Sequence, residues 1–353
     1  MSSAQGSIPQ MQTELKPSHR LKGMGVGIAG IGSYLPVTTL NNEALSTMVD
    51  TSDEWIVTRT GIRSRHVASP GQATSDLALP AAQDAIASAG LTAEEIDLIL
   101  LATSTGDTPV PPTACWLQKS LGAKNAAAMD IAAACSGFIF ATHVAAGLIR
   151  GGMHRNVLVV GAETLTRITD YSDRASCILF GDGAGAVVMG TSGMMNLLYT
   201  SISSDGNHAE MIQMPAGGSR LPASAATLAD HQHFLKLKGS EVFKHAVQSM
   251  SAAANIALES LGLQASDIAW LVPHQANQRI MIAVGERLGI PLERVVSDMS
   301  EVGNTAAASL PMALSKLVGE GKLRTGDRIM LVGFGAGATW GCQVFEYAQG
   351  SAQ

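Results

Sequence analysis

Short apolar runs and longer stretches of helical apolar spacing alternate along this chain. The run "IDLILLA" (96–102) is long enough for a strand and too short for a helix, and its unbroken apolar character predicts a strand buried on both faces. Further along, Val242, Phe243, Ala246, Val247 and Met250 recur at the spacing of one helix face, and Gly262 just beyond permits a left-handed cap. Strands alternating with helices, some rich in small residues that allow close approach, predict an α/β fold with helices sandwiched between sheets.

The pattern also repeats. "AAQDAIASAGLTAEEIDLILLAT" from Ala81 matches "AANIALESLGLQASDIAWLVPHQ" from Ala253, an offset of 172 that lays Gly90-Leu91 on Gly262-Leu263. A second pair follows with a small slip in spacing: "CSGFIFATHVAAGLIRGGMHRNVLVVGAE" against "GNTAAASLPMALSKLVGEGKLRTGDRIMLVGFG". Each is a turn, a small-residue helix, a basic Gly-containing loop and a strand. Internal duplication of this length predicts two halves related by a pseudo-twofold, 23–195 and 196–353, after a flexible N-terminal extension at 1–22. Such symmetry brings equivalent loops together, so Cys135 of the first half is expected to meet His274 and Asn304 of the second.

Composition narrows the function. The chain has 353 residues, 46% of them hydrophobic, enough for a large core. Its formal net charge is −6 with no basic block, which argues against nucleic-acid binding. The polar opening "MSSAQGSIPQMQTELKPSHR" has no apolar signal region, and no apolar run of bilayer length follows, so a soluble cytoplasmic chain is expected. Four dispersed cysteines, Cys115, Cys135, Cys177 and Cys342, fit neither a zinc ribbon nor a disulfide scaffold and read as free thiols.

"DIAAACSGF" (130–138) delivers a cysteine among small residues into a predicted helix. The positive end of a helix dipole lowers a thiol pKa, so Cys135 is expected to be rich in thiolate, with its own N–H available to an oxyanion. Small neighbours leave room for an acyl thioester. "VPHQANQRI" puts His274 at a strand end, and "SEVGNTAAASLP" puts Asn304 where a helix begins. Taken singly, these residues also read as a buried small residue, a core histidine and a helix cap. Their placement by the repeat favours chemistry.

Six ordered motifs carry a resemblance: "DEWIVTRTGIRSRH" (53–66), "AAACSGF" (132–138), "DRASCILFGDGAGA" (173–186), "VPHQAN" (272–277), "GNT" (303–305) and "GFGAGATWG" (333–341). From about Gly25 onward the chain resembles the β-ketoacyl-[acyl carrier protein] synthase III family, condensing enzymes of thiolase-like fold. The resemblance implies two pseudo-symmetric halves in a five-layered α-β-α-β-α sandwich, working as a homodimer. It implies that Cys135 takes an acyl group from acyl-CoA, and that His274 and Asn304 stabilise the enolate formed by decarboxylation of malonyl-acyl carrier protein. No metal or cofactor is implied. Trp55, Arg59, Arg174, Gly239, Phe243, Ala276 and Asn277 would bind CoA, with Trp55 and Arg174 enclosing the adenine. Lys244 and Arg279 would dock the acidic carrier protein, and Val110, Leu179, Phe180 and Phe334 would shape the acyl pocket. The backbone of Cys135 and of Ala336 would form the oxyanion hole.

The sequence departs from the family pattern in three places. Ala336 follows Gly335 where the family has glycine, Ser240 stands where Asn is common, and Val110 replaces a phenylalanine that crosses the dimer interface. The last predicts tolerance of longer or branched primers. A starter-unit condensing enzyme of secondary metabolism is the alternative reading. "GVGIAG" (25–30) matches a dinucleotide fingerprint, but its glycines fall in a strand pattern and Pro36 follows. His231 and His233 in "HQH" lack a third metal ligand in spacing and read as solvated.

Overall fold

The predicted strands and helices form in the expected order. The structure, a computed structural model, describes residues 25–348; the expected extension at 1–22 lies outside the described residues. The first half contains β1 (Gly27–Tyr34), α1 (Thr74–Ser88), β2 (Leu98–Ala102), α2 (Thr113–Leu121), β3 (Ala127–Ile131), α3 (Gly137–Arg150), β4 (Val157–Thr164) and β5 (Asp182–Gly190). The second contains β6 (Met195–Ser204), α4 (Gly239–Leu261), β7 (Trp270–Pro273), α5 (Gln278–Leu288), α6 (Ser309–Gly319), β8 (Arg328–Gly335) and β9 (Thr339–Tyr347).

The repeat read from sequence is the repeat of the fold. Leu98 and Trp270 begin β2 and β7, and Gly137 and Ser309 begin α3 and α6, both pairs 172 apart. The slip is confined to the next loop, because Val157 and Arg328, which begin β4 and β8, are 171 apart. Pairing repeats too: β2–β4 and β7–β8 are parallel, whereas β4–β5, β5–β1, β8–β9 and β9–β6 are antiparallel. Edge strand β3 has as its counterpart one parallel bridge, Leu271 to Val295.

The layers stack as a thiolase-like sandwich requires, but the two sheets are not separate. Gly27 pairs with Asn196 and Ile28 with Met195, giving the continuous order β7-β8-β9-β6-β1-β5-β4-β2-β3 among the described residues. Between the halves, Phe138 and Ile139 of α3 and Leu310 and Leu314 of α6 pack with Leu100, Val159, Val272 and Leu331. On the outer faces, Leu77, Ala81 and Ala85 of α1 cover Ile99, Leu101 and Val160, while Ala246, Met250 and Ala254 of α4 cover Leu271, Met330 and Val332. Alternate residues of β2 thus serve two different cores, which is why "IDLILLA" has no polar face. Each such buried aliphatic side chain contributes roughly 1.5–3 kcal/mol.

The glycines of "GVGIAG" serve packing. A Cβ on Gly30, or on nearby Gly32, would collide with the α1 backbone at Ala85 and Ala81, so these positions let strand and helix touch. The glycines of "GDGAGA" likewise lie in or beside β5, with Gly185 against Pro311 and Met312 of α6.

Candidate active site

Each half makes a tight strand-to-helix turn at the equivalent place. Ala134 has φ 46° and Ala306, again 172 residues later, has φ 40°; both are left-handed backbone that an alanine adopts only under strain. The first turn, Ala134–Ser136, presents Cys135 immediately before α3. The second, Ala306–Ala308, places Ala307 at the equivalent position before α6. The two like loops therefore differ in what they present, a thiol in one and a methyl group in the other. The end of β8 closes over the first: a Cβ on Gly335 would lie 2.8 Å from the Cys135 nitrogen and 2.9 Å from that of Ser136.

Asn304 precedes the second turn and is tied down on three sides. Its Oδ1 accepts from the Ala306 N–H at 2.9 Å, its own N–H donates to Leu179 O at 2.9 Å, and Gly181 N–H donates to its carbonyl at 3.0 Å. It is a cap and a site residue at once. His274 follows β7, where its N–H continues the ladder to Val332 O at 2.8 Å and its Nδ1 meets Ser309 Oγ at 2.7 Å.

These loops converge on one cavity of about 460 Å³. Cys135, His274 and Asn304 all line it, as do Leu179, Phe180 and Phe334, and Gly239, Ser240, Phe243, Ala276, Asn277 and Arg279. Sequence reasoning missed a further apolar set on the same wall: Ile212, Leu235, Leu237, Val242, Ala246, Met250 and Ile280. Ile212, Leu235 and Leu237 come from a polar, irregular stretch whose pattern resembles a loop. The α4 members were read only as core.

The expected thiolate is not what the site holds. Burial pushes the Cys135 thiol up to about 12, and the Glu163 carboxylate adds to that; the Cys135 N–H offsets only a little. Cys135 is partly exposed, but towards the cavity. Burial also lowers His274 to about 4, so its ring is neutral at pH 7. If the Ser309 hydroxyl donates to Nδ1, the neutral ring carries its proton on Nε2.

Glu163 was not foreseen. It is fully buried at the end of β4 and accepts from Thr105 Oγ1 at 2.6 Å, from Thr103 Oγ1 at 3.2 Å, and from the Ser104 N–H at 3.0 Å. Burial raises it to about 7 against those bonds and a further one from the Ala307 N–H. Nothing in "VVGAETLT" distinguishes this acid from a surface glutamate, because its partners come from the loop after β2 and the turn before α6.

The expected CoA residues divide into two groups. Asn277 lines the cavity, but its Oδ1 accepts from Arg279 N–H at 2.9 Å and its Nδ2 donates to Arg59 O at 3.0 Å, so it chiefly caps α5. Through that bond the cavity adjoins a second cluster, where the Arg59 and Arg174 guanidiniums lie over the Trp55 ring at 4.2 and 4.1 Å. Arg59 therefore stacks on the indole in this structure, as Arg174 does.

Other expectations fall outside the cavity. Val110 is 83% exposed and does not line the pocket of its own chain. Lys244 is exposed on α4 away from the cavity wall, whereas Arg279 is on that wall with its guanidinium 5.7 Å from the Phe243 ring. Ala336 does not line the cavity, and its φ is not left-handed, so alanine meets no backbone objection there. His231 and His233 are not merely solvated: His231 Nδ1 contacts Asp170 at 3.0 Å and His233 Nε2 contacts Thr227 at 2.9 Å. Among the described residues no group of three His, Cys, Asp or Glu is arranged to hold a metal ion, and no helix is long and apolar enough to cross a membrane.

Comparison with known proteins agrees with this geometry. Residues 129–206 match the model of 3-oxoacyl-[acyl-carrier-protein (ACP)] synthase III, and 258–347 match that of its C-terminal part. The β-ketoacyl-[acyl-carrier-protein] synthase III of Clostridioides difficile (strain 630) is 47% identical over 321 residues, covering 91% of this chain and 98% of that protein. The crystal structure of 3-oxoacyl-[acyl-carrier-protein] synthase III from Aquifex aeolicus VF5 superposes with a TM-score of 0.84 at 42% identity, over 92% of this chain and all of that one. The priming β-ketosynthase of the R1128 polyketide biosynthetic pathway also gives 0.84, at 35% identity over 93% of this chain and 97% of that one. A shared fold, similarity along nine-tenths of the chain and a cysteine, histidine and asparagine in one cavity lead to one conclusion: the chain belongs to the β-ketoacyl-[acyl-carrier-protein] synthase III family.

Proposed function

We propose that this protein condenses an acyl-CoA primer with malonyl-acyl carrier protein to give 3-oxoacyl-acyl carrier protein, initiating fatty acid synthesis, with Cys135, His274 and Asn304 as the catalytic residues. The observation that carries the reading is their convergence on one largely apolar cavity, wide enough for an acyl and pantetheine chain. Cys135 Sγ attacks the acyl carbonyl; the C–S bond to CoA breaks, and the thiol proton leaves with the CoA sulfur. Malonyl-acyl carrier protein then enters, its carboxylate departs as carbon dioxide, and the resulting carbanion attacks the acyl-enzyme carbonyl; as the new C–C bond forms, the acyl–Sγ bond breaks, and the Cys135 sulfur takes up a proton to restore the thiol. One proton is consumed and no electrons are exchanged, so the balance needs no metal or redox cofactor.

His274 Nε2–H and the Asn304 carboxamide act as neutral donors to the thioester oxygen as enolate charge develops. A neutral imidazole suits this role because it adds hydrogen bonding without fixing an anion in the resting site. Trp55, Arg59 and Arg174 would hold the nucleotide end of CoA, and exposed Lys244 with Arg279 would meet the acidic carrier protein. Among the described residues edge strand β3 has an unpaired side, and Val110, Trp116 and Met129 are exposed, a surface suited to a second copy of the chain. Across such an interface Val110 would close the partner's pocket less fully than a phenylalanine, admitting longer or branched primers. The 35% identity to a polyketide priming synthase supports the second reading, a starter-unit enzyme of secondary metabolism.

Intact-protein mass spectrometry after incubation with a panel of acyl-CoAs tests the assignment. One acyl adduct is expected, lost in Cys135→Ala, with four- to eight-carbon chains loading better than acetyl. No adduct from any acyl-CoA would overturn priming from CoA. Condensation of the loaded enzyme with malonyl-acyl carrier protein but not malonyl-CoA would favour the first reading over the second.

A further inference from the structure

Part of the cavity wall, Ile212, Leu235 and Leu237, comes from a segment outside the main sheet. Ile212 pairs with Leu237 in a two-residue ladder, Gln213 with Lys236, and the N–H of Leu235 donates to Ile168 O at 2.9 Å. Extended backbone alternates its side chains, so Leu235 and Leu237 face the cavity while Lys236 between them faces away. Lys236 Nζ reaches Asp170 Oδ2 at 3.1 Å, and His231 Nδ1 reaches the same oxygen at 3.0 Å. The other oxygen, Oδ1, accepts from Ser172 N–H at 3.0 Å and Ser172 Oγ at 2.6 Å. Asp170 is 4% exposed, and every acceptor direction of its carboxylate is filled. Burial alone would raise its pKa, but the bonds from Ser172, His231 and Lys236 outweigh burial and hold the group well below the usual carboxylate range. Lys236 and His231 are themselves 38% and 49% exposed in their side chains, so the link is anchored at its buried end.

We propose that Asp170, by gripping Lys236 and His231 from behind the wall, positions Leu235 and Leu237 against the cavity and so sets the length of acyl chain that the site accepts. Asp170 touches no substrate; it is a positioning residue that acts through the two leucines. The backbone bond from Leu235 to Ile168 fixes one point of the wall, and the Asp170 link fixes the next. With that link released, the segment keeps its two-residue ladder, the bond from Lys238 N–H to Met211 O and the apolar contacts of Leu235 and Leu237 with Leu165 and Phe180, but it loses its charged anchor and yields more readily to a longer chain. This inference rests on the reading that the cavity receives the acyl group, and it adds which residues limit that group.

The test uses Lys236→Met, which keeps the aliphatic stem and removes the charge, alongside Asp170→Asn and the conservative Lys236→Arg. Wild type and variants are offered butyryl-CoA and octanoyl-CoA in competition, and the Cys135 adducts are read by intact mass. In Lys236→Met and Asp170→Asn the octanoyl-to-butyryl ratio is expected to rise about fourfold or more, the equivalent of one further buried methylene. In Lys236→Arg it is expected to stay within about twofold of wild type, less than one methylene's worth. An unchanged ratio in both charge-removing variants, in protein whose thermal unfolding matches wild type, would overturn the proposal. If wild type takes up no acyl-CoA, the functional reading fails separately, and the wall is then probed by alkylating Cys135 with iodoacetamide and a long-chain alkyl maleimide. A rise in the maleimide-to-iodoacetamide ratio on removing Lys236 or Asp170 supports the clamp, and no rise sinks it.

Discussion

Cys135 is a thiol, not a resting thiolate, because desolvation and the Glu163 charge outweigh the backbone N–H that favours the anion. Its alkylation by iodoacetamide is therefore expected to keep accelerating with pH through the alkaline range; a plateau near neutrality would reveal a preformed ion pair with His274. Glu163→Gln keeps a side-chain oxygen to accept hydrogen bonds but removes the charge, so it should speed alkylation at fixed pH. Buried His274 gives a second handle. The unfolded imidazole binds its proton near 6.5 whereas the folded one waits until about 4, so the unfolded state holds more protons between those values. Stability contributed by neutral His274 is fully present above that window and falls as pH drops through it, by roughly 3 kcal/mol at the limit. Glu163 works oppositely, since its pKa rises from 4.5 to about 7 on folding and stability recovers as pH falls through that range. The His274 contribution is isolated by comparing denaturant midpoints of wild type and His274→Gln at pH 7 and pH 4.5, where the variant should show the smaller acid loss. For catalysis, His274→Ala and Asn304→Ala should still acquire the acyl group and lose condensation by on the order of 10²–10³-fold each, the effect of one oxyanion donor. Equal loss of both steps would assign them a different role.

At the scale of elements, the site depends on two strained turns and one close approach. Gly335→Ala would put a methyl 2.8 Å from the Cys135 nitrogen, and the turn cannot retreat because α3 begins two residues later. A loss of about 1–3 kcal/mol, the usual cost of overpacking, is expected in thermal or denaturant unfolding, together with slower acyl loading. Ala306→Gly is the converse: relieving the left-handed alanine should leave stability equal or up to about 1 kcal/mol higher, unless glycine's greater freedom in the unfolded chain cancels the gain. A large loss there would show that the Ala306 side chain, not its backbone, matters. Asn304 should remain in place in that variant, since its Oδ1 is held by the Ala306 N–H that glycine also supplies.

Over the whole molecule, the unpaired edge of β3 and the exposed Val110 and Met129 lead us to expect a dimer by sedimentation, with Met129→Lys shifting it towards monomer; a wild-type monomer would remove Val110 from any pocket. The repeated order of elements was legible in the sequence because duplication left the offset of 172 and the buried strands left unbroken apolar runs. These are local signals, fixed by which residues must leave water. That Cys135, His274 and Asn304 meet in one cavity was expected from their short motifs at strand and helix ends, placed together by the repeat. The joining of the two sheets through Gly27 and Ile28 was not, since two strands of one pattern can pair or merely pack. Nor were the thiol state of Cys135, the burial of Glu163, or the cavity wall of Ile212, Leu235 and Leu237. The sequence by itself determined the order of elements, their symmetry and the residue types available for chemistry. Only the tertiary structure decided their electrostatics and the shape of the cavity, because desolvation and enclosure depend on neighbours that the chain brings together from far apart.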